Sequence, residues 1–381
     1  MSDGGIFRDE FPITERLNYL NNCSLTPMPR RAQAALDEYA RLWSEWGGRA
    51  WYSHWMNELE ALRADFATVL GADTDEIALQ PGVSTALVAV ASAIDYSERD
   101  TVVVADIDFP TDGHVFLARE HQGLKVRFVH SPDGVSVPLE AFAEAIDERT
   151  ALVCTGHVYY ASGALQDVAA LARIAHAKGA LLLVDAYQSI GAFPFDVHAS
   201  GVDFLAGGTL KWLMGGPGMA FLYVRRELSP RLRPTALGWW SQTDPFSFDV
   251  QHLALPDTAR RFEYGTPSVP TAYAARAGLS LLREVGIDRV RASHKRLSQG
   301  LVDGALSHGL RVRCPTDAER RTSIVTIVHP DPHRAVDALR ARGVIVDSRP
   351  GVVRFSPHFF NTADEIDAAV TAMVEVSAAR V

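Results

Sequence analysis

The sequence contains little cysteine and no long apolar run. Cys23, Cys154 and Cys314 are odd in number and far apart, so they provide neither a disulfide framework nor a paired-cysteine metal clip, and they suit a reducing compartment. No stretch approaches the roughly 18 uninterrupted apolar residues of a membrane span. The opening residues MSDGGIFRDEFP lack the apolar segment of a secretion signal. The sequence therefore predicts a cytoplasmic protein that does not enter a membrane, and it predicts no metal site.

The sequence also lacks an excess of positive charge. Its 37 lysines and arginines are outnumbered by 46 aspartates and glutamates, which gives a net charge of −9. This balance disfavours nucleic acid or an anionic membrane as the main partner, although it could hide a local basic patch. The patterns H-E-x-x-H and G-x-S-x-G are absent, and the 13 histidines are scattered. The sequence therefore gives no support for a zinc hydrolase or a serine hydrolase.

The order of apolar runs and helical patterns predicts two domains. A chain of 381 residues is too long for one ordinary hydrophobic core. Short β-branched runs alternate with helical patterns, which predicts an α/β fold with a mainly parallel sheet flanked by helices. After about residue 255, long helical patterns lead into short strands around one more helix, which predicts a smaller α+β domain. We expect an N-terminal segment over 1–20, a large domain over 21–257 and a small C-terminal domain over 258–381. The predicted strands are 101–106, 125–130, 151–158, 180–186, 204–208, 218–224, 311–314, 323–329, 344–349 and 351–357.

Acidic residues follow two of these predicted strands, at the edge where ligands of open α/β sheets bind. Asp185 follows the run LLLV, and DFPTD (108–112) follows VVVAD. A carboxylate there is costly to bury unless a cation or a hydrogen-bond donor meets it. Taken alone, Asp185 could be a helix cap or a turn residue, and DFPTD could be a structural loop.

A single lysine, Lys211, stands among apolar residues and glycines in GGTLKWLMGGPG (207–218). A lysine removed from water loses its proton more easily, and its free amine attacks aldehydes. An exposed turn lysine is the alternative. Residues 81–85, PGVST, precede a helical pattern and fit a phosphate site at a helix N-terminus, although an ordinary cap fits them too. An amine, a carboxylate, a flat aromatic ring and a phosphate cup are together what pyridoxal 5′-phosphate (PLP) requires.

The sequence resembles the fold-type I PLP-dependent enzymes of the class V aminotransferase family, which includes cysteine desulfurases and kynureninases. The resemblance runs from LNYLNNCSLTPMP (17–29) to RFSPHFFNTADEID (354–367). Its most specific motifs are VDAYQSIGAFPFDV (184–197), the spacing from there to the lysine motif, and RFSPHFFNT. It implies the aspartate aminotransferase-like fold, PLP as cofactor, an amino acid as substrate and a homodimer with shared active sites.

The resemblance also implies a role for individual residues. Lys211 would hold the cofactor as a Schiff base and then carry a proton, and Asp185 would pair with the pyridine nitrogen. Gln188 would donate to the ring hydroxyl, Phe109 would stack on the ring, and Arg354 would grip the substrate carboxylate. The implied cofactor-binding set is Val83, Ser84, Thr85, Phe109, Asp185, Gln188, Thr209, Lys211 and, from across the dimer interface, Gly265 and Thr266. The implied substrate-binding set is Arg354, Trp239 and Trp240.

Departures from the family pattern bear on the reaction. The stretch DSRPGVVRFSP (347–357) lacks the nucleophilic cysteine of a desulfurase, and Cys314 lies too far upstream, so desulfurase activity is not expected. Leu210 stands where desulfurases have histidine and kynureninases have tyrosine, so one phosphate donor is missing. DFPTD, KWLMGGPG and Gly238-Trp239-Trp240 resemble kynureninase, whereas Gln188 replaces its histidine.

We therefore expect a PLP-dependent enzyme that acts on an amino acid through Lys211, with amino-group transfer as the favoured reaction. Kynureninase-like hydrolytic cleavage is the second interpretation, and elimination or racemisation stays open. A non-catalytic binding module on the same fold is the alternative from a different class. The substrate, the amino acceptor and the pathway are left open by the sequence.

Overall fold

The computed structural model describes residues 5–378. Residues 1–4 of the predicted N-terminal segment and residues 379–381 of the predicted small domain lie outside the described residues. The strands are β1 (Asn18–Tyr19), β2 (Ile77–Gln80), β3 (Thr101–Ala105), β4 (Lys125–Val129), β5 (Thr150–Gly156), β6 (Leu181–Asp185), β7 (Phe204–Gly208), β8 (Ala220–Val224), β9 (Val325–Val328), β10 (Val344–Ile345), β11 (Asp347–Arg349) and β12 (Val352–Phe355).

Seven of these strands form the central sheet, in the order β2-β8-β7-β6-β5-β3-β4. β8 runs antiparallel to both of its neighbours, and the other neighbouring pairs are parallel. Because β3, β5 and β6 are parallel neighbours, their carboxyl ends meet at one edge of the sheet. That edge carries the candidate site.

Helices cover both faces of the central sheet. The helices of the described chain are α1 (Arg30–Trp46), α2 (Met56–Leu70), α3 (Val83–Ala93), α4 (Pro110–Leu117), α5 (Leu139–Ala145), α6 (Val168–Ala177), α7 (Val197–Ser200), α8 (Val269–Val285), α9 (Ile287–Ser307), α10 (Pro332–Arg340) and α11 (Ala363–Ala378). Within residues 5–378, no helix combines the length and the apolar character needed to cross a bilayer.

The core lies on both sides of the sheet because its strands are apolar on both faces. On β3, Val103 packs into the cluster that includes Phe66 of α2. Val102 and Val104 point the other way and pack into the cluster that includes Leu87 of α3. Burial of each such side chain contributes about 1.5–3 kcal/mol, so the sheet is held from both faces and its edge residues are fixed in place.

A second, three-stranded antiparallel sheet lies near the C-terminus, in the order β11-β12-β9. Its core includes Val325 and Phe355 from the strands, and α9, α10 and α11 contribute apolar residues to the same cluster. In the hairpin of β11 and β12, Asp347 lies opposite Arg354 in the register. The hairpin register therefore sets an acidic and a basic side chain side by side.

The N-terminal segment joins this C-terminal layer. β1 pairs in parallel with β10. The N–H of Leu20 donates to the carbonyl of Ile345 at 2.8 Å, and the N–H of Ser356 donates to the carbonyl of Leu20 at 2.7 Å. The N–H of Cys23 donates to the Ser356 hydroxyl at 3.0 Å. Residues near the start of the chain are thus held against residues near its end.

The predicted α/β fold is confirmed, and most predicted strands are present within one or two residues. The strand predicted over 311–314 was wrong, because this segment forms only an isolated bridge between Val312 and Ile327. The strand predicted over 344–349 is divided into β10 and β11, which belong to different sheets. DFPTD is the start of α4 and not only a loop, since Pro110 occupies the first turn. The domain boundary at residue 257 stays a prediction.

Candidate active site

A cavity of about 490 Å³ opens at the carboxyl ends of β3, β5 and β6. The structure brings most of the predicted site residues to its walls. These are Val83, Ser84, Thr85, Phe109, Asp185, Gln188, Lys211 and Arg354. They come from both sheets and from the segments between them, so the fold assembles one site from distant parts of the chain.

The remaining predicted residues lie elsewhere in the chain. The hydroxyl of Thr209 is buried and donates to the carbonyls of Gly216 and Met219. These bonds hold together the two ends of the loop that carries Lys211. Trp240, Gly265 and Thr266 line a separate hollow, and Trp239 lines a surface hollow beside Phe248. The predicted roles of Thr209, Trp239, Trp240, Gly265 and Thr266 stay predictions.

The loop that carries Lys211 rests directly on α8, backbone against backbone. A Cβ added to Gly278 of α8 would lie 2.2 Å from the carbonyl oxygen of Leu213, and a Cβ added to Gly215 would lie 2.6 Å from the Cα of Ala275. Both positions therefore require glycine for close approach. The lysine loop is fixed by this contact and cannot shift without α8.

Lys211 extends into the cavity above the ring of Tyr187, with its Nζ atom 4.1 Å from the ring centroid. Burial lowers the pKa of the amine from 10.5 to about 8. The negative charge of Asp185 opposes this shift, and the positive charges of Arg354 and Arg349 add to it. A lysine in this setting is partly neutral near physiological pH, which is the form that acts as a nucleophile or a base.

Asp185 ends β6 and is partly exposed to the cavity. Its Oδ1 atom accepts the N–H of Tyr187 at 2.8 Å, and its carbonyl accepts the N–H of His157 at 2.8 Å. Burial raises the pKa of the carboxyl, while the Tyr187 N–H and the Lys211 charge oppose the rise. These contacts fix the carboxylate in position across the cavity from the amine.

Two further acidic residues lie beside Asp185. Asp108 accepts two backbone N–H groups and the Thr155 hydroxyl, and burial raises its pKa to about 7. Asp112 is fully buried, and neither of its carboxyl oxygens has a partner among residues 5–378. Burial and the charges of Asp185 and Asp108 raise the pKa of Asp112 well above its ordinary value. An unpartnered carboxyl of this kind leaves a hydrogen-bonding position for a ligand.

The N-terminus of α3 faces the same cavity. The Thr85 hydroxyl accepts the N–H of Gly82 at 3.1 Å and donates to the Gly82 carbonyl at 2.6 Å. Within the described part of the chain, no acceptor meets the N–H of Ser84, and a Cβ on Gly82 would find nothing within 4 Å. Such an open helix end binds anions. Leu210 lines the wall where the family pattern has a polar donor, and the Thr111 hydroxyl lies 3.3 Å from that of Ser84. Thr111 therefore places a second hydroxyl beside this helix end.

Gln188 has a fixed orientation. Its Oε1 atom accepts the indole N–H of Trp212 at 3.0 Å, and its Nε2 atom donates to the Cys23 carbonyl at 2.9 Å. Because an indole can only donate, the amide oxygen must face Trp212 and the amide nitrogen must face away. Among residues 5–378, the second N–H of that nitrogen has no acceptor, and Gln188 lines the cavity.

The opposite end of the cavity carries arginines. Arg354 is fully buried and pairs with Asp347, whose Oδ2 atom lies 2.6 Å away. Burial opposes ionisation of Asp347, but the hydrogen bond and charge of Arg354 lower its pKa. Arg349 stands above the ring of Tyr160 at 5.6 Å, and Phe109 meets the same ring edge-on with centroids 5.2 Å apart. This wall has a net positive charge.

Among the cavity residues to which sequence analysis gave no individual role are Thr111, Asp112, Tyr160 and Arg349. Pro110 could have signalled that Thr111 and Asp112 belong to the first turn of a helix and not to a free loop. Strand alternation in DSRPGVVR could have placed Arg349 on the same face as Arg354. Tyr160 had no comparable signal, because it lies in a turn between β5 and α6.

Comparisons with known proteins agree with this geometry. A family model described as "Aminotransferase class-V" matches residues 18–369. An uncharacterised aminotransferase of Bacillus subtilis, YcbU, is 37% identical over 366 residues, which cover 96% of this chain and 95% of that protein. A kynureninase of Pseudomonas fluorescens is 30% identical over 393 residues, with 97% and 91% covered.

A solved structure of C-DES, in which glycine is covalently linked to the PLP cofactor, has the same fold. Its TM-score is 0.90 at 22% identity, and the match covers 97% of this chain and 99% of that one. C-DES is described as a cystine C–S lyase. At this identity the likeness concerns the fold.

Proposed function

The chain belongs to the class-V aminotransferase family, and from this membership we propose that it transfers the amino group of an amino acid to an acceptor. The observation that carries the proposal is Lys211. Its amine has a pKa lowered to about 8 and shares one cavity with Asp185 and the open end of α3. An amine, an acid and an anion site in one cavity are the parts that PLP chemistry needs.

PLP is the cofactor of this family, and the cavity fits it on three observations. Among the described residues, the end of α3 has an N–H at Ser84 without an acceptor and open space at Gly82, which suits a phosphate. Asp112 presents a carboxyl without a protein partner. Lys211 supplies the single lysine amine among the residues that line the cavity.

We assign the holding groups as follows. Lys211 would form the covalent link, Asp185 would pair with the pyridine nitrogen, and Gln188 would donate an N–H to the ring hydroxyl. Phe109 would cover the ring, and Ser84 with its helix end would hold the phosphate. When bound, the cofactor supplies an electron-withdrawing ring conjugated to the carbon that bears the substrate amine.

The chain's own groups then bind the substrate and move its proton. With a pKa of about 8, roughly a tenth of the Lys211 amine is neutral at pH 7, and this form removes the proton from the substrate α-carbon. Burial raises the pKa of Asp185, and the Tyr187 N–H and the lysine charge oppose this rise by favouring its negative form. Arg354 and Arg349 attract the carboxylate end and thereby orient the α-proton toward the amine.

We also propose a homodimer in which Gly265 and Thr266 approach the cofactor phosphate of the partner chain. Their position supports this, since they line a hollow that is separate from the cavity of their own chain. The exposed side chains of Trp43 and Phe248, which are 60% and 75% accessible, are consistent with further burial in a dimer. Light scattering of the purified protein tests the dimer.

Kynureninase-like hydrolytic cleavage is the second candidate, and one observation favours it. Phe109 and Asp112 of the DFPTD motif both line the cavity beside Lys211, as expected from the resemblance of this motif to kynureninase. Amino-group transfer ranks first because Gln188 occupies the position of the kynureninase histidine and Leu210 that of its tyrosine.

Spectroscopy of the PLP-loaded protein tests the proposal. We expect a visible absorption band that borohydride fixes to Lys211, and we expect Lys211→Ala to lose turnover. An amino acid added without an acceptor should bleach the band of a transaminase permanently, because the amino group stays in the site. With a lyase or a hydrolase the band should return as product leaves. Full turnover by Lys211→Ala would refute the proposal.

A further inference from the structure

Residues 81–85, at the start of α3, form part of the cavity wall. They follow β2 directly, and they include the N–H of Ser84, which has no acceptor among the described residues. In the proposed function this turn holds the cofactor phosphate. A turn binds an anion tightly when its N–H groups are fixed beforehand, because ordering that is left to the moment of binding costs affinity. The groups that fix the turn therefore belong to the phosphate site.

The chain before the turn is bonded to a segment far along the sequence, residues 262–264. The N–H of Leu79 donates to Glu263 Oε1 at 2.9 Å. The Nε2 atom of Gln80 donates to the Phe262 carbonyl at 2.6 Å. Since Leu79 and Gln80 are the last two residues of β2, the entry into the turn has a fixed position.

The chain after the turn is bonded to the same segment. The hydroxyl of Tyr264 donates to the Thr85 carbonyl at 3.1 Å. The Thr85 hydroxyl in turn donates to the Gly82 carbonyl at 2.6 Å and accepts the Gly82 N–H at 3.1 Å. Residues 81–84 are thus enclosed between two anchors, and both anchors rest on the 262–264 segment.

The 262–264 segment is itself held by a buried ion pair. Arg63 and Glu263 lie 2.5 Å apart, and their side chains are 3% and 1% exposed. Arg63 also donates to the Ile77 carbonyl at 2.7 Å. Because breaking a buried pair leaves a poorly compensated charge, it is strongly disfavoured. The segment is therefore a fixed base for the turn.

We propose that Tyr264 is a positioning residue for the cofactor phosphate, and that its hydroxyl holds the first turn of α3 in the form that binds the anion. Tyr264 lines the separate hollow with Gly265 and Thr266 and not the cavity, so it acts through Thr85. The inference rests on the proposed function, since it concerns the phosphate of PLP. The effect of the hydroxyl should depend on the phosphate and not on the rest of the cofactor.

Two aldehydes test this inference: PLP, and pyridoxal, which lacks the phosphate but can form the same link to Lys211. The dissociation constant of each is read from the visible band that develops when it is added to the cofactor-free protein. Tyr264→Phe removes only the hydroxyl. We expect it to weaken PLP binding about 3- to 10-fold, the effect of one neutral hydrogen bond, and to leave pyridoxal binding unchanged. The preference for PLP over pyridoxal should therefore fall by the same factor.

Tyr273→Phe is the matched control, because Tyr273 is a partly buried tyrosine of α8 that packs on the ring of Tyr39, and its preference should equal that of the wild type. An unchanged preference in Tyr264→Phe, or equal weakening of PLP and pyridoxal, would overturn the inference and leave the proposed function standing. A wild type that binds PLP and pyridoxal equally well would also overturn it, since there would be no phosphate site to position. A wild type that forms no band with PLP would refute the proposed function, and the inference with it.

Discussion

Replacement of Lys211 by methionine should stabilise the cofactor-free protein near neutral pH. The amine is buried beside the cavity, and burial lowers its pKa from 10.5 to about 8. Below the lowered pKa, the folded chain must hold a charged ammonium in a poorly solvated position. Methionine has similar length and no charge, so Lys211→Met removes this cost.

The size of the effect follows from the pKa shift. A shift from 10.5 to about 8, at about 1.4 kcal/mol for each unit, corresponds to about 3 kcal/mol. This is an upper value, because part of the side chain is open to the cavity and water there screens the charge.

The pH dependence gives the sign. Between the folded and unfolded pKa values the unfolded chain binds more protons than the folded chain, so the stability of the wild type rises with pH in that window. The advantage of Lys211→Met should therefore be fully present below about pH 8 and should disappear toward about pH 10.5.

Urea denaturation of both cofactor-free proteins, at equal concentration, measures this difference at about pH 7.5 and about pH 10. Lys125→Met is the control, because Lys125 is exposed and pairs with Asp100 at the surface, and its effect should be small. A Lys211→Met advantage that stays constant or grows with pH would refute the reasoning, since the lowered pKa would then not be its cause.

Three other variants test the support of the site. Trp212→Phe removes the donor to Gln188. We expect a loss of about 1 kcal/mol in the free energy of unfolding, weaker cofactor binding and an altered cofactor spectrum. An unchanged spectrum would contradict the role given to the indole. Gly278→Ala places a Cβ 2.2 Å from the Leu213 carbonyl oxygen and should lower the free energy of unfolding by about 1–3 kcal/mol. We also expect weaker cofactor binding, measured by equilibrium dialysis, and normal binding would contradict the tight contact. The pKa of His157 is lowered by burial to about 4, so the wild type should lose up to about 3 kcal/mol as pH falls from about 6.5 to about 4. His157→Gln should lack this component in acid denaturation, and identical acid profiles would contradict it.

The central sheet could be predicted because its elements are encoded locally. Runs such as TVVVA of β3 are apolar on both faces and have polar residues at their ends. β2 was missed since it is only four residues long, and its place at the sheet edge depends on pairing with β8, which lies far along the chain. Segment 311–314 was mispredicted because apolar alternation does not reveal whether a partner strand is in register.

The candidate site could be predicted where its residues follow strands or belong to one motif. Asp185 and Lys211 stand out in the sequence, and they line the same cavity. The hydrogen bonds of Arg354 could not be predicted, because they depend on Ser24 and Tyr160, which reach it through tertiary packing. Hydrogen-bond capacity is set by neighbours in space, whereas a motif records only neighbours in sequence.

The pairing of the first residues with the last has a consequence for biosynthesis. The backbone N–H of Cys23 donates a hydrogen bond to the hydroxyl of Ser356, which is 333 positions later. Both Cys23 and Ser24 line the cavity. At about 5–20 residues per second, the amino-terminal segment waits about 15–70 s on the ribosome before its partner emerges. Binding of the PLP cofactor is therefore expected only after translation is nearly finished. A nascent chain stalled before residue 343 would have the strands of the central sheet but an incomplete cavity.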